Sequence, residues 1–393
     1  GNAFLNAKWT RTMSPKWFST TSLQYSRYSY SAEMNMGMDM NGDANINDYG
    51  FRQEFKYQAT PNSTWRMGVQ STYHDLAPGD FVNESDIKST LNLHHRYSWE
   101  NGVYISNQLK LNERLEVLYG LRLSTFSALG KGEYYELDEN KEVVDSTWYN
   151  SGRFVKTYVN LEPRLSAVYK LNDVSSVKAS YARTVQNMHL LTYVNMGSPF
   201  DRWTSSSNNI KPQIADQFTV GYFRNFKDNI YEFSVEAYYK NMRNQIDFKD
   251  HAQFQGYDVI DTEVRFGKGR AYGVEFMLKK RTGRFNGWVS YTLAKSEKKI
   301  DGINNNKWYN AYQDRTHDIS LVGIYELNRK WSLSAAWVYY TGNAISYPSG
   351  KYQIDGKDVM YYAERNGYRA PAYHRLDLGA TCLLKKTRKY ESE

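Results

Sequence analysis

Residues 39–48 read Asp-Met-Asn-Gly-Asp-Ala-Asn-Ile-Asn-Asp, with oxygen-bearing side chains at alternate positions: Asp39, Asn41, Asp43, Asn45 and Asn47. Short Asp and Asn side chains at this spacing resemble the loops that wrap about six to eight hard oxygens around calcium. Two positions depart from that pattern. Ala44 stands where the tight turn needs Gly, and Gly50 where a bidentate carboxylate belongs. An Asx-rich turn accounts for the same residues. Just upstream, Met34, Met36, Met38 and Met40 recur at every second residue. They could present thioethers to a soft ion such as Cu(I), or form the apolar end of a strand.

Acid–base or nucleophilic chemistry has less to work with. His317 is flanked by Asp314 and Asp318, and His94 and His95 are adjacent. No Gly-rich phosphate loop, nucleophile elbow or His-x-x-x-His pair accompanies them. His317 reads as an aromatic-belt residue near a strand start, and the chain is read as not being an enzyme. Arg365, Asn366, Tyr368 and Arg369 offer forked donors that suit carboxylate or phosphate groups.

The elements that must position these groups are announced by alternation. In residues 230–240, Tyr231, Phe233, Val235, Ala237 and Tyr239 alternate with Glu232, Ser234, Glu236, Tyr238 and Lys240. Successive side chains of a strand face opposite sides, so one face is apolar and the other polar. The stretch has about the length a tilted strand needs to cross a bilayer. Similar stretches recur along the chain. The negative mean hydropathy does not conflict with this, because a barrel's inner face and loops are polar and its strands make no long apolar run. No apolar run is long enough for a membrane-spanning helix.

Fifteen strands are expected, near 2–13, from 17, 48–60, from 63, 97–110, 114–127, 154–170, 176–187, 214–227, 230–245, from about 270, from 284, 315–328, 331–341 and from 373. Tight turns such as Ser14-Pro15-Lys16, Pro61-Asn62-Ser63 and Asp228-Asn229 alternate with long loops at 34–47, 76–96, 128–153, 188–213, 246–267, 298–314 and 342–373. Short turns on one side and long loops on the other describe an all-β, transmembrane antiparallel β-barrel; a propeller or sandwich would not place such loops on alternate connections. An odd strand number leaves an edge whose unsatisfied groups cost several kcal/mol each in lipid, so further strands are expected elsewhere.

The 393 residues contain a single cysteine, Cys382, which excludes a disulfide framework. The net charge of +8 is spread over strands and loops, and the basic run Lys385, Lys386, Arg388, Lys389 reads as a solvated turn, so no nucleic-acid partner is expected. No signal peptide begins at Gly1, and the chain reads as an internal piece of a longer protein.

Several segments resemble the barrel of TonB-dependent outer-membrane receptors, of the type found in Bacteroidetes. They are Asn208-Asn209-Ile210-Lys211-Pro212-Gln213 with Ala215-Asp216-Gln217, Tyr238-Tyr239-Lys240-Asn241-Met242, Gly267 to Glu275, Gly287 to Leu293, Asp314-Arg315-Thr316-His317-Asp318 and Tyr373 to Leu378. The resemblance covers essentially all of residues 1–393. It implies about 15 strands of a 22-strand barrel, corresponding to strands 6 to 20, with the plug, the first strands and the last strands missing. It also implies active transport of a scarce nutrient of the siderophore, glycan, cobalamin or peptide class; the alternative is a structural scaffold in a larger outer-membrane complex. The implied partners are outer-membrane lipid and lipopolysaccharide, TonB through the missing N-terminal part, and a surface lipoprotein or other complex member. Substrate would be held by loops and the upper inner wall, which selects Trp203, Asn208, Asn209, Trp308, Tyr309, Tyr312, Arg365 and Arg369. Loops packed on their neighbours explain these residues too, and Tyr272, Gly273, Glu275, Asp314 and Arg315 read as structural ties. The reading requires no cofactor and admits calcium in an extracellular loop.

Overall fold

Period-two alternation makes each segment amphipathic only when extended, and an extended segment must find its hydrogen bonds in a neighbour. The computed structural model describes residues 1–35, 39–83, 91–92, 95–191, 202–250, 252, 259–354, 356–383, 385–386 and 391–392. Its main sheet has seventeen strand segments, of which two, Leu91–Asn92 and Tyr309–Asn310, are two-residue pieces. The other fifteen are long. They are β1 (Asn2–Ser14), β2 (Trp17–Asn35), β3 (Asp39–Thr60), β4 (Ser63–Asn83) and β5 (Arg96–Lys110). Next come β6 (Leu115–Leu129), β7 (Phe154–Asn172), β8 (Ser175–Gln186), β9 (Gln213–Phe226) and β10 (Tyr231–Phe248). The last are β11 (Val264–Lys280), β12 (Phe285–Ile300), β13 (His317–Glu326), β14 (Trp331–Tyr340) and β15 (Tyr373–Cys382).

Every one of these strands pairs antiparallel with its neighbours in sequence, as a single meander from β1 to β15. Among the described residues β1 and β15 pair on one side only. Pairing aligns side chains into rows. The row Ala179, Val220, Ala237, Val274, Leu293 is apolar, whereas Ser180, Thr219, Tyr238, Gly273, Ala294 on the other face is mostly polar or small. Among the described residues the apolar face has no protein cover: Leu5 is 69% exposed, Leu161 54% and Leu378 75%. A soluble sandwich would bury these residues, so the outward face is solvated by lipid.

The buried apolar clusters lie instead in the loops. Leu191, Ile210, Ile246, Phe248, Ala252 and Val264 form one, and Ile300, Ile303 and Tyr309 a second. Burying each Leu, Ile, Val or Phe among them contributes about 1.5–3 kcal/mol. Among the described residues these clusters pack parts of the loops into a crown, and the loops carry their own hairpins, Gly132–Leu137 with Val143–Tyr149, Met188–Leu191 with Arg202–Ser205, and Gly350–Ile354 with Lys357–Tyr361. A single helical turn, Ile260–Glu263, leads into β11.

The expected loop at 34–47 is a correction. β2 and β3 continue as paired strands to Asn35↔Asp39, with no break in their mutual register. Likewise β4 runs on to Asn83, past the expected strand end. The Asn/Asp-rich composition of these extensions suggested turns, but pairing on both sides of β3 overrides it.

Candidate functional site

The crown converges on Asp247, near the loop end of β10. A bulge between Arg243 and Gln245, with Asn244 at φ 54°, redirects the strand just before it. Asp247 accepts hydrogen bonds from the Tyr309 hydroxyl at 2.8 Å and from Arg365 Nη1 at 3.1 Å, with Lys298 Nζ at 3.9 Å. Arg365 also donates to the Phe248 carbonyl at 3.1 Å and to Asp250 at 2.8 Å. The Arg365 main chain is tied both ways to Asn304, whose Oδ1 accepts from its N–H at 2.7 Å and whose Nδ2 donates to its carbonyl at 3.1 Å. Three long loops therefore meet at one carboxylate. Burial, and after it the Asp247 charge, push the Tyr309 phenol upward, so it stays protonated. Burial opposes the Arg365 charge, but Asp247 and Asp250 outweigh it and raise the guanidinium.

A second knot holds the loops between β6 and β9. The side-chain amides of Asn208 and Asn209 both donate to the Tyr135 carbonyl, at 2.8 and 2.9 Å. Tyr158 donates to the Ser207 carbonyl at 2.7 Å, and Ser207 Oγ to Asp261 at 3.2 Å. Beside them His189 is fully buried, with Gln213 Nε2 at 2.8 Å from Nδ1 and Ser206 Oγ at 3.1 Å from Nε2. Burial drives its imidazole down from 6.5 to about 4, so it is neutral.

Along the inner wall, Glu54 lies between Arg52 at 2.7 Å and Arg66 at 3.9 Å, and accepts from the Tyr104 hydroxyl at 2.7 Å. Glu162 similarly lies between Arg122 at 3.6 Å and Arg164 at 3.7 Å. The hydroxyl end of Tyr104 lies against Gly68: a Cβ there would stand 2.6 Å from its hydroxyl. β10 and β11 differ, with Glu236 directly opposite Glu275 in register and no ion pair to either among the described residues.

The sequence-selected residues are dispersed. Trp203 is half-buried, in register with Leu190 in a loop hairpin, and Asn208 and Asn209 are the tie just described. Trp308 covers the Arg270 guanidinium at 4.3 Å, Tyr309 is buried against Asp247, and Tyr312 is half-buried. Arg369 donates to the carbonyls of Asp314 at 2.5 Å and Gly342 at 3.2 Å, and pairs with the buried Asp314 carboxylate. Arg365 and Arg369 thus spend their forks within the crown. Arg315 donates to Asn343 at 3.1 Å and sits over the Tyr340 ring. His317 is in register with outward Leu293 and stacks on Tyr291, while alternation turns Asp318 to the other face.

For the calcium pattern, Asp39 and Asn47 lie eight residues apart in extended β3, a separation of about 26 Å at strand rise. The extended backbone sets positions 39 and 47 apart, and the side chains of Asp39, Asn41 and Asp43 lie outside the described residues. Asn45 instead accepts from Arg27 at 3.5 Å and Asn47 from Tyr25 at 3.4 Å. Of the methionine stripe, Met36 and Met38 lie outside the described residues. Sequence reading missed Asp247, Asn304 and His189, which become a site only when distant loops pack together; no local spacing signals them.

Residues 1–384 match the family model described as TonB dependent receptor-like, beta-barrel. A search of curated protein sequences gave no match. Among solved structures, the ferripyoverdine receptor of the outer membrane of Pseudomonas aeruginosa is similar at a TM-score of 0.65 and 13% identity, covering 98% of this chain and 50% of that one. The FrpB iron transporter from Neisseria meningitidis gives 0.64 and 12%, covering 96% and 55%. The siderophore receptor PiuA from Acinetobacter baumannii gives 0.62 and 15%, covering 98% and 58%. The chain spans between half and three fifths of those structures.

Proposed function

The chain belongs to the β-barrel family of TonB-dependent receptors, and from that premise we propose that it is the wall and loop crown of a bacterial outer-membrane importer of a scarce nutrient. The observation that carries the reading is the division of faces: lipid-solvated apolar rows outside, and an arginine- and carboxylate-bearing inner wall under a packed crown. No chemistry on the cargo is needed. The inner wall and crown bind, and the family's energy coupling moves the cargo. In this reading the lumen is filled by an N-terminal plug that contacts TonB, further strands close the edges at β1 and β15, and lipid surrounds the wall. The motif set supports the Bacteroidetes-type branch, in which a surface lipoprotein would sit on the crown.

The crown favours one kind of cargo over another. With Arg365 and Arg369 engaged, the loop between β14 and β15 still exposes five tyrosines: Tyr347, Tyr352, Tyr361, Tyr362 and Tyr368 are each about half exposed. Flat rings stack on such side chains, which supports a saccharide or an aryl chelate over a simple anion. The test is uptake of ferric chelates, cobalamin, oligosaccharides and peptides by cells with and without the full-length protein. One class should be lost on deletion, and its uptake should stop when the proton gradient is collapsed. Uptake of every class unchanged by deletion, or unaffected by the uncoupler, overturns the proposal.

A further inference from the structure

Nearer the loops than Glu54, the inner wall of β3, β4 and β5 carries a row of another kind. Asp48, His74 and Ser98 are direct cross-strand partners. Alternation gives them the parity of Glu54, Gly68 and Tyr104, so all three face the lumen. His74 Nδ1 lies 2.7 Å from one oxygen of Asp48, whose other oxygen accepts from the Ser26 hydroxyl at 3.3 Å. A carboxylate at one ring nitrogen holds the proton there and leaves the lone pair on the other. His74 is only 9% exposed, and its Nε2 has no hydrogen-bond partner among the described residues. Its neighbour in register on β5 is the small, buried Ser98. A buried lone pair left without a protein partner is a place for an ion or a water.

Glu100 is the next inward residue on β5. It is a diagonal neighbour of His74 across the β4–β5 ladder, near enough for long side chains to meet. Asn187 stands at the base of the loop hairpin Met188–Leu191 with Arg202–Ser205, and its Nδ2 donates to Glu100 at 3.0 Å. Asn187 is 5% exposed, and its Oδ1 likewise has no partner among the described residues. The hairpin arm Arg202–Ser205 packs on β4 and β5. Two buried atoms, a nitrogen and an oxygen, thus stand beside one carboxylate with no proton to meet.

We propose that His74 Nε2, Glu100 and Asn187 Oδ1 bind a divalent first-row transition ion of the Zn2+ type, which clamps the loop hairpin to the inner wall. Imidazole with carboxylate and amide oxygens suits such an ion. Calcium prefers oxygen alone, and Cu(I) prefers sulfur. Asp48 is a positioning residue, because it orients the imidazole through the far ring nitrogen. Among the described residues no three His, Cys, Asp or Glu side chains gather as a metal site, so the Asn187 amide completes the set and ties metal binding to the hairpin. The ion so held is a clamp and not cargo, so loss of the site would leave the transport reading intact.

The test strips the full-length protein of metal with a chelator and titrates it calorimetrically with Zn2+ in buffer containing Mg2+. Folding of every variant is scored first by heat-resistant electrophoretic mobility. About one Zn2+ per chain should bind, and Mg2+ should not displace it. His74→Ala should weaken binding about a hundredfold, and Asp48→Asn about tenfold with recovery in Asp48→Glu. If His74→Ala does not fold, His74→Gln takes its place with the same expected loss. His95→Ala removes an imidazole that pairs with Asp75 instead, and should change nothing. Asn187→Asp should bind Zn2+ more tightly although it loses the bond to Glu100, an outcome that a purely structural Asn187 would not give. Zn2+ should slow amide exchange in residues 188–191 and 202–205. A folded parent that binds no Zn2+, or affinity unchanged by the His74 substitution, overturns the site.

Discussion

Arg365 reaches 118 positions back along the chain to donate to Asp247 at 3.1 Å, while its other arm holds Asp250 at 2.8 Å. Both partners of the first pair are largely covered, at 18% and 15% side-chain exposure. Removing one member of a covered pair leaves the other charge uncompensated, which costs about 3 kcal/mol. Arg365→Ala should therefore loosen the crown while sparing the wall. Limited proteolysis should cut within 343–369 far faster in the variant, with heat-resistant mobility unchanged. Equal cleavage rates would show that the pair does not hold the loops.

The buried His189 makes the hairpin Met188–Leu191 with Arg202–Ser205 sensitive to acid. Its folded value of about 4 lies below the ordinary 6.5, so the opened form takes up the proton first as pH falls. The stabilisation is complete above about 6.5, declines between 6.5 and 4, and amounts to about 3 kcal/mol in full. Protonation would also turn Nδ1 from acceptor to donor, facing the Gln213 amide. Amide exchange across 188–191 and 202–206 should accelerate from pH 7 to pH 5, and His189→Gln should flatten that dependence. Identical protection at both pH values would refute the assignment.

Gly68 makes room for Tyr104 to reach Glu54. A Cβ at this position would stand 2.5 Å from the Gln53 carbonyl and 2.6 Å from the Tyr104 hydroxyl. Gly68→Ala should cost about 1–3 kcal/mol in urea-driven unfolding. In a Tyr104→Ala background that cost should shrink but not vanish, because the Gln53 carbonyl stays. Full additivity would mean the ring is not what the glycine accommodates.

Neighbouring positions on β10 should respond oppositely to charge. Val235→Arg places a cation among outward apolar rows and should cost about 2–4 kcal/mol, seen as lost insertion. Glu236→Lys faces inward and exchanges repulsion with Glu275 for attraction, a gain of about 0.5 kcal/mol. If both variants insert equally well, the division of faces is wrong.

Alternation made the strands legible. The expected segments 97–110, 154–170 and 331–341 correspond closely to β5, β7 and β14, because side chains that must alternate between lipid and water leave one backbone conformation available. The exceptions were β3 and β4, where Asn, Asp and Gly resemble turn chemistry but pairing with neighbours extends the strands. The loop residues were legible as types, and the partners they take were not. Arg365 and Arg369 have the fork that suits an anion, and it is taken up by Asp247, Asp250 and Asp314. Nothing local in the sequence pairs Trp308 with Arg270, whose guanidinium it covers.

From its residues alone this chain specifies fifteen amphipathic strands, the face each turns to lipid, and the connections long enough to build a crown. Those properties follow from local period and composition. Which loops meet at Asp247, which carboxylate sits between which arginines, and the alignment of Asp48, His74 and Ser98 were decided only by strand register and loop packing. These are relations between segments far apart in the chain, and a local pattern cannot encode which distant partner will satisfy a charge.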